Sequence, residues 1–431
     1  MLGLFLVALF LILMVIGVPI AFVIAIIAFA GITAAPHIPI VTVVMKMFNG
    51  LNSFVLLAVP LFILAANLMN SGKISKKLID FSIAIVGPVK GGLAHANVLV
   101  SMIFAGISGA SQADTAGIGK VLIPNMIDTG YDKKTAVGVT AASSTIGVII
   151  PPSIPMIIYA GLTNTSISSL FLAGMVPGIL SGLGMMIVIS ILARKRNYPQ
   201  YEKSSLKKIF KLGREAFPAL MTPIIIIGGV ITGWYTATEA AAIASLYTFV
   251  IGMFYYKTIK LRDIPDILVD TLTLSSLSLF ALSAASALGE LLGYYQVSTI
   301  VERFFTTYID SAGLFMVIVI AFFLFIGTFM DAIPAMILFI PVILPVSMKL
   351  GISPALLGMV TIITLAIGLV TPPYGLCLMI AAKIGNMSIE KSFNAVIMFI
   401  GVVFAVLLFI AFLPEIAFYI PLKFDPYLLF Q

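Results

Sequence analysis

A single cysteine, Cys377, is all the thiol chemistry in the chain, and His37 and His95 are its only histidines. One thiol excludes an internal disulfide and a thiolate metal cluster, and two imidazoles are too few for an ordinary histidine metal site. Charge is scarce as well: Asp, Glu, Lys and Arg make up 10% of the 431 residues, against 61% hydrophobic ones. With a mean hydropathy of +1.19, the chain has too few polar groups to cover a soluble globule of its size, so its solvent is largely lipid. The net charge of +7 does not mark a nucleic-acid binder, because the basic residues sit in short connectors between apolar segments. Strict two-residue alternation is also missing, which excludes a porin-type barrel. Apolar runs rich in Gly and Pro point instead to an all-α polytopic membrane protein. The first residues carry neither a basic stretch nor a small-residue cleavage site, so the expectation there is a first membrane helix and not a removable leader.

The apolar segments form two series. The first runs 2–16, 18–34, 51–69, a broken segment 91–119, then 136–162 and 167–193; the second runs 217–231, 237–256, 272–294, a broken segment 312–346, then 355–382 and 393–413. The expected organisation is a first repeat over 1–193, a linker 194–215, a second repeat over 216–420 and a tail 421–431. Between 194 and 214 stand Arg194, Lys195, Arg196, Lys203, Lys207, Lys208, Lys211 and Arg214 against the single acid Glu202, which marks a cytoplasmic loop. Suppose the broken segments are re-entrant hairpins, the first entering from the cytoplasm and the second from outside. Both termini then lie outside, and of the 24 Lys and Arg residues all but Lys46, Arg303, Lys349 and Lys423 fall on the cytoplasmic side. Turning either hairpin into a single crossing moves Lys133 and Lys134, or Lys383 and Lys391, to the wrong face. Charge asymmetry favours the hairpins.

A shift of 221 residues lays Ile146-Gly147-Val148-Ile149-Ile150-Pro151-Pro152 over Ile367-Gly368-Leu369-Val370-Thr371-Pro372-Pro373, and Gly106 over Gly327. It also lays the turn Gly17-Val18-Pro19 over Thr238-Glu239-Ala240, where each half is expected to pass from a short first helix to a longer second one. An odd number of crossings separates the halves, so the repeat is inverted, as in secondary transporters that bind at the midplane. A Pro-Pro pair removes two backbone donors and pushes the preceding residue out of helical geometry. The freed groups are tolerated at membrane depth only where they line a cavity or bind something. A half-helix ending in carbonyls suits a small cation, and one beginning in amides suits a carboxylate. An isolated pair could be a plain kink; symmetric pairs, each facing a Gly-rich hairpin, favour a site.

The first hairpin tip reads Gly106-Ile107-Ser108-Gly109-Ala110-Ser111-Gln112-Ala113-Asp114-Thr115, and the second Gly327-Thr328-Phe329-Met330-Asp331-Ala332-Ile333-Pro334. Small residues allow close backbone approach, and hydroxyls add ligands. An aspartate in an apolar segment needs a partner, which makes Asp331 a functional candidate; its alternative role is a helix cap before Pro334. Asp114 is a weaker candidate, as a cap of the outgoing hairpin helix, and Glu239 fits a capping box with Thr236. The ligands on offer are hard oxygens, which suit sodium better than a transition metal. Proton coupling through Asp331 is the alternative.

Taken together, the Gly106-Ile-Ser-Gly-Ala-Ser tip, the paired Ile-Gly-x-x-x-Pro-Pro motifs and Thr238-Glu239-Ala240-Ala241 after Trp234 are familiar. Over roughly residues 2–420 the chain resembles the large membrane (M) subunit of a TRAP transporter, a tripartite ATP-independent periplasmic carrier, and most of all the sialic acid type. The resemblance implies a sodium-driven elevator of the inverted-repeat ion-transporter type, with two re-entrant hairpins and two broken helices, in a bacterial inner membrane with both termini periplasmic. It implies a transporter and no enzyme, with Na+ as coupling ion and no organic cofactor. The implied first sodium site uses Ser108, Ser111, Gly147, Ile150 and Pro151, and the second Gly327, Thr328, Met330, Gly368 and Thr371. Substrate is implied between the tips, near Asp331, Ser153 and Thr371. The implied partners are a periplasmic substrate-binding protein and a small membrane subunit, the latter expected as a separate chain because this one starts at the first large-subunit helix.

Other functions fit parts of the pattern. A C4-dicarboxylate TRAP subunit and a stand-alone sodium/carboxylate symporter share the architecture. An intramembrane serine protease would read Gly106-Ile107-Ser108-Gly109 as a nucleophile motif, but His95, just before the same hairpin, and His37, in an external connector, are poor bases for it.

Overall fold

The architecture is that of a computed structural model, which describes residues 2–35, 39–71, 74–309 and 311–424. His37 and the tail residues 425–431 lie outside the described residues. In lipid the backbone has only itself to bond with, and no strand occurs among the described residues. The first half contains α1 (Leu2–Val15), α2 (Ile20–Thr33), α3 (Val41–Leu51), α4 (Ala58–Ser71), α5 (Ile74–Val86), α6 (Gly92–Ser108), α7 (Ser111–Asp128), α8 (Lys133–Ser144), α9 (Ile154–Thr163) and α10 (Ile167–Arg196). The second half contains α11 (Leu206–Ile231), α12 (Ala237–Val250), α13 (Ile264–Tyr294), α14 (Val297–Tyr308), α15 (Ala312–Gly327), α16 (Ala332–Lys349), α17 (Pro354–Gly368), α18 (Leu376–Ile384) and α19 (Ile389–Phe412). Two short turns of helix follow.

Helix boundaries repeat at the spacing seen in the sequence. Helices α7 and α16 begin 221 residues apart, as do α8 and α17. The halves differ at their scaffold helices. In the first, α3 and the segment Phe54–Asn70 meet at a 63° bend, whereas α13 runs unbroken for 31 residues. The expected short-then-longer order holds in neither half: α1 and α2 have 14 residues each, and in the second half the order is reversed, with 26 residues in α11 and 14 in α12. The cause lies in the basic stretch, where Lys and Arg are good helix formers and the Ser205 hydroxyl caps the amide of Lys208. Helices α10 and α11 therefore grow into the linker and leave only 197–205 between them.

Caps are supplied by the residue types that local chemistry demands. Thr236 and Glu239 form a capping box at α12, so Glu239 has a structural role. Asp132 caps α8 and also receives Arg196 and Tyr198 at the end of α10. Burial works to raise its carboxyl, but the bonds from Tyr198, Thr135 and Arg196 outweigh it and hold the group below the usual carboxylate range.

Six helices are long and apolar enough to cross a membrane among the described residues, or seven counting the bent pair. Helices α6, α9, α15 and α17 are apolar but shorter. The contacts sort the helices into two groups. Helices α1–α4 pack with α11–α13, chiefly through α4 on α12 and through α2 and α3 on α13. Helices α6–α10 pack with α15–α19, and the halves interlock there: α7 lies on α18, and α9 on α16. Between the groups run α5 and α14, which are amphipathic. On α5, Ile74, Leu78 and Ile79 are buried, while Lys77 pairs with Glu215 of α11 at 2.7 Å.

Candidate functional site

Both hairpin tips rest on a Pro-Pro turn. Helix α6 ends at Gly109 with φ +61, a left-handed turn that a glycine makes without strain. A Cβ there would stand 2.7 Å from the Pro152 carbonyl oxygen, and the Ile154 amide donates to the Gly109 carbonyl at 3.3 Å. At the second tip the Tyr374 amide donates to the Thr328 carbonyl at 2.9 Å. A Cβ on Gly368 would come within 2.6 Å of the Gly327 carbonyl oxygen, so backbone meets backbone there. Both Pro151-Pro152 and Pro372-Pro373 are cis. Hairpin and broken helix thus touch in each half, as the small residues at the tips require.

Residues expected at the first ion site come together. Ser108, Ser111, Gly147, Ile150 and Pro151 are all buried. The Ser108 hydroxyl donates to Asp114 Oδ1 at 2.5 Å and accepts from the Ala110 amide at 3.3 Å. Ser111 Oγ and Asp114 Oδ2 are buried without a hydrogen-bond partner. A Cβ on Gly147 would lie 2.5 Å from Asp114 Oδ2 and 3.2 Å from Ser111 Cα. Unpaired buried oxygens of this kind fit a small hard cation. Asp114 is no N-cap, since Ala110 occupies that position. It belongs to this cluster instead.

At the second site Gly327, Met330 and Gly368 are buried while Thr328 and Thr371 are half-buried. Both threonine hydroxyls already donate back to the helix that precedes them, Thr328 to the Phe325 carbonyl at 2.7 Å and Thr371 to the Ile367 carbonyl at 2.8 Å. A hydroxyl that donates in this way keeps its lone pairs for a cation.

A cavity of about 310 Å³ lies between the tips. The hairpins contribute Ser108 to Ala113 and Asp331 to Ile333, and the opposite wall comes from Ile63, Ala66 and Asn67 of α4 with Leu274 and Ser278 of α13. The opening residues of α7 (Ser111), α9 (Ile154) and α16 (Ala332) all line it. Its lining includes no Lys, Arg or His among the described residues. Asp331 is the helix cap the sequence allowed and also lines the cavity: as N-cap of α16 it accepts the Ala332 amide at Oδ1, 2.7 Å, and at Oδ2 it accepts from Gln112 Nε2 at 3.1 Å, joining the two tips. Ser153 and Thr371 are outside the lining. Ser153 is fully buried as the N-cap of α9, its hydroxyl donating to the Val148 carbonyl at 2.7 Å.

Gln112, Asn67 and Ser278 were not singled out from sequence. Asn67 and Ser278 interrupt apolar runs, the same signal that singled out Asp331, but serine and asparagine are common in membrane helices and stand out less. Among the described residues the protease motif has no histidine base: His95 Nε2 is paired with Ser190 Oγ at 3.3 Å, and Ser108 is engaged with Asp114.

Long apolar helices, paired broken helices and a cavity between two hairpin tips define a multi-pass α-helical membrane protein of transporter architecture. The fold is similar to the crystal structure of the Alcanivorax borkumensis YdaH transporter, with a TM-score of 0.60 over 88% of each chain at 16% identity. Residues 7–416 match the family described as "Tripartite ATP-independent periplasmic transporter, DctM component", and the chain belongs to that family. It is 34% identical over 405 residues to the sialic acid TRAP transporter large permease protein SiaM of Vibrio cholerae, covering 94% of this chain and 95% of that one. It is also 34% identical over 376 residues to the C4-dicarboxylate TRAP transporter large permease protein DctM of Pseudomonas aeruginosa, covering 87% and 88%. These relatives are permeases, a class without enzyme chemistry.

Proposed function

We propose that the chain is the translocating subunit of a sodium-coupled uptake system for a small organic acid, with sialic acid favoured. The observation that carries this reading is the convergence of α7, α9 and α16 N-termini on one cavity that has no basic side chain in its described lining. Each helix N-terminus acts as about half a positive charge; that of α16 is met by its own cap, Asp331, so those of α7 and α9, helped by bound cations, hold an anion that no Lys or Arg is there to meet. A volume of about 310 Å³ is at the small end of ligand pockets, roughly 300–1,000 Å³. That suits a small acid, with Gln112 and Asp331 reading its polar groups.

Helices α6 and α15 have 17 and 16 residues, which at 1.5 Å per residue is about 25 Å, short of the roughly 30 Å hydrocarbon core. This supports hairpins that enter and leave on one side. The interlocked group α6–α10 with α15–α19 then moves as an elevator against α1–α4 with α11–α13, on the amphipathic connectors α5 and α14. Sodium, the co-transported ion, binds at each tip, the first site being the better defined by its unpaired oxygens. A small membrane subunit and a periplasmic binding protein complete the tripartite system in the bacterial inner membrane.

Uptake into proteoliposomes tests this, with both partner proteins added and a panel holding N-acetylneuraminate and a C4-dicarboxylate. Uptake is expected only with a sodium gradient and only with the binding protein. Equal uptake driven by a pH gradient in sodium-free buffer removes the sodium assignment, and uptake without the binding protein makes this a stand-alone symporter.

A further inference from the structure

Helix α11 is 26 residues long, about 39 Å at 1.5 Å per residue, and so outruns the roughly 30 Å hydrocarbon core. Its continuous apolar run begins only at Phe217, which leaves the turns from Leu206 to Ala216 at the level of the lipid headgroups. A helix facing water turns its apolar residues inward. Here Ala216 and Ala219 are buried, while Leu206, Phe210 and Phe217 point outward at 85%, 78% and 56% exposure. Their spacing of i, i+4 and i+11, with Gly213 at i+7, puts them on one stripe.

A second row runs beside it. Lys207, Lys211 and Arg214 stand at i, i+4 and i+7, all exposed, and no ion pair among the described residues involves any of them. The acid next to the row, Glu215, is already bonded to Lys77 of α5 at 2.7 Å. The row therefore keeps its positive charge.

The stripe also has a wall. Between α5 and α11 lies an open groove of about 430 Å³, lined by Phe81, Ile209, Phe210, Gly213, Arg214 and Phe217. Gly213 is its floor, and a Cβ there would already stand 3.1 Å from the Phe81 ring. An apolar trough at headgroup depth with a guanidinium at its rim has the chemistry of one kind of amphiphile. Phenylalanines pack an acyl chain, and the planar fork of an arginine pairs with a phosphate through two donors. A cationic row at the membrane surface favours anionic headgroups over zwitterionic ones.

We propose that the groove between α5 and α11 is a binding site for one anionic phospholipid of the phosphatidylglycerol class, its phosphate held by Arg214 with Lys211 and Lys207 and an acyl chain lying along Phe210, Phe217 and Phe81. Seated there, the lipid joins α5 to α11 alongside the Lys77–Glu215 pair. The anchoring of α5 then depends on the headgroup charge of the surrounding membrane. This holds whichever ion or acid is carried.

The test titrates phosphatidylglycerol, and separately phosphatidylethanolamine, into the delipidated full chain in neutral detergent, counting bound lipids by native mass spectrometry and following thermal unfolding. Wild-type protein is expected to retain one phosphatidylglycerol in preference to phosphatidylethanolamine and to unfold at a higher temperature with it. The triple variant Lys207→Gln, Lys211→Gln and Arg214→Gln should weaken phosphatidylglycerol binding by about tenfold or more and erase the preference. A control triple, Lys195→Gln, Lys203→Gln and Lys208→Gln, removes the same charge from exposed positions outside the row and should leave both readouts as in wild type. Phe210→Ser should weaken both lipids alike, as loss of an acyl contact does. Equal retention of the two lipids by wild-type protein overturns the proposal, as does a control triple that loses as much as the first. So does a preference that disappears once the small membrane subunit is bound, since that subunit then covers the groove.

Discussion

Asp331 spends its two oxygens on different tasks. Oδ1 caps α16 through the Ala332 amide, and Oδ2 takes a bond from Gln112 across the cavity. Asn serves as well as Asp at an N-cap, so Asp331→Asn separates the roles: the fold keeps its cap while the tip-to-tip contact loses its charge. A charge-assisted hydrogen bond contributes about 1.5–3 kcal/mol. Half-saturating substrate is therefore expected to rise roughly ten- to a hundredfold at a near-unchanged melting temperature, measured by uptake and thermal unfolding. Uptake indistinguishable from wild type would leave Asp331 as a cap alone. Residue chemistry singled out Asp331 because a carboxylate in an apolar run is conspicuous. Asp114 was the weaker candidate, since a helix start offers every acid a capping role, and only the structure shows that Ala110 holds the cap position.

At the scale of the element, the Pro-Pro pairs were legible because proline acts on its own backbone and on the residue before it, wherever the chain later packs. The broken helices fall at those pairs, with α8 and α9 flanking the first and α17 and α18 the second. Helices α3, α5 and α14 did not appear among the expected spans. Their apolar residues recur on one face instead of running continuously, and a search for membrane-length runs passes over them. Close approach of elements gives a direct test. Gly368→Ala puts a methyl group 2.6 Å from the Gly327 carbonyl oxygen, backbone against backbone, so neither side can yield by a rotamer change. The expected result is a loss of about 1–3 kcal/mol in stability and a sharp fall in uptake; wild-type stability and uptake together would mean that the second hairpin is not seated on the broken helix as described.

At the scale of the molecule, the charge distribution and the repeat make a joint statement about sidedness. In a Cys377→Ala background, Lys203→Cys and Thr307→Cys, both at exposed positions, are expected to react from opposite faces: the first from the cytoplasm, the second from outside. An impermeant maleimide applied to intact spheroplasts should label the cysteine at 307 and spare the one at 203. Labelling of both sinks the inverted arrangement. Membrane residence, helical class, the repeat spacing and the positions of the chain breaks were determined by the sequence itself, because hydropathy, proline stereochemistry and internal similarity act locally or by simple comparison along the chain. Tertiary structure alone decided that α7 lies on α18 and α9 on α16, that Gln112 meets Asp331, that Asp114 and Ser111 face Gly147, and that α4 and α13 close the cavity. Those pairings join residues from opposite halves of the chain or from different elements, and they are selected by how whole helices fill space against one another, which no local propensity encodes.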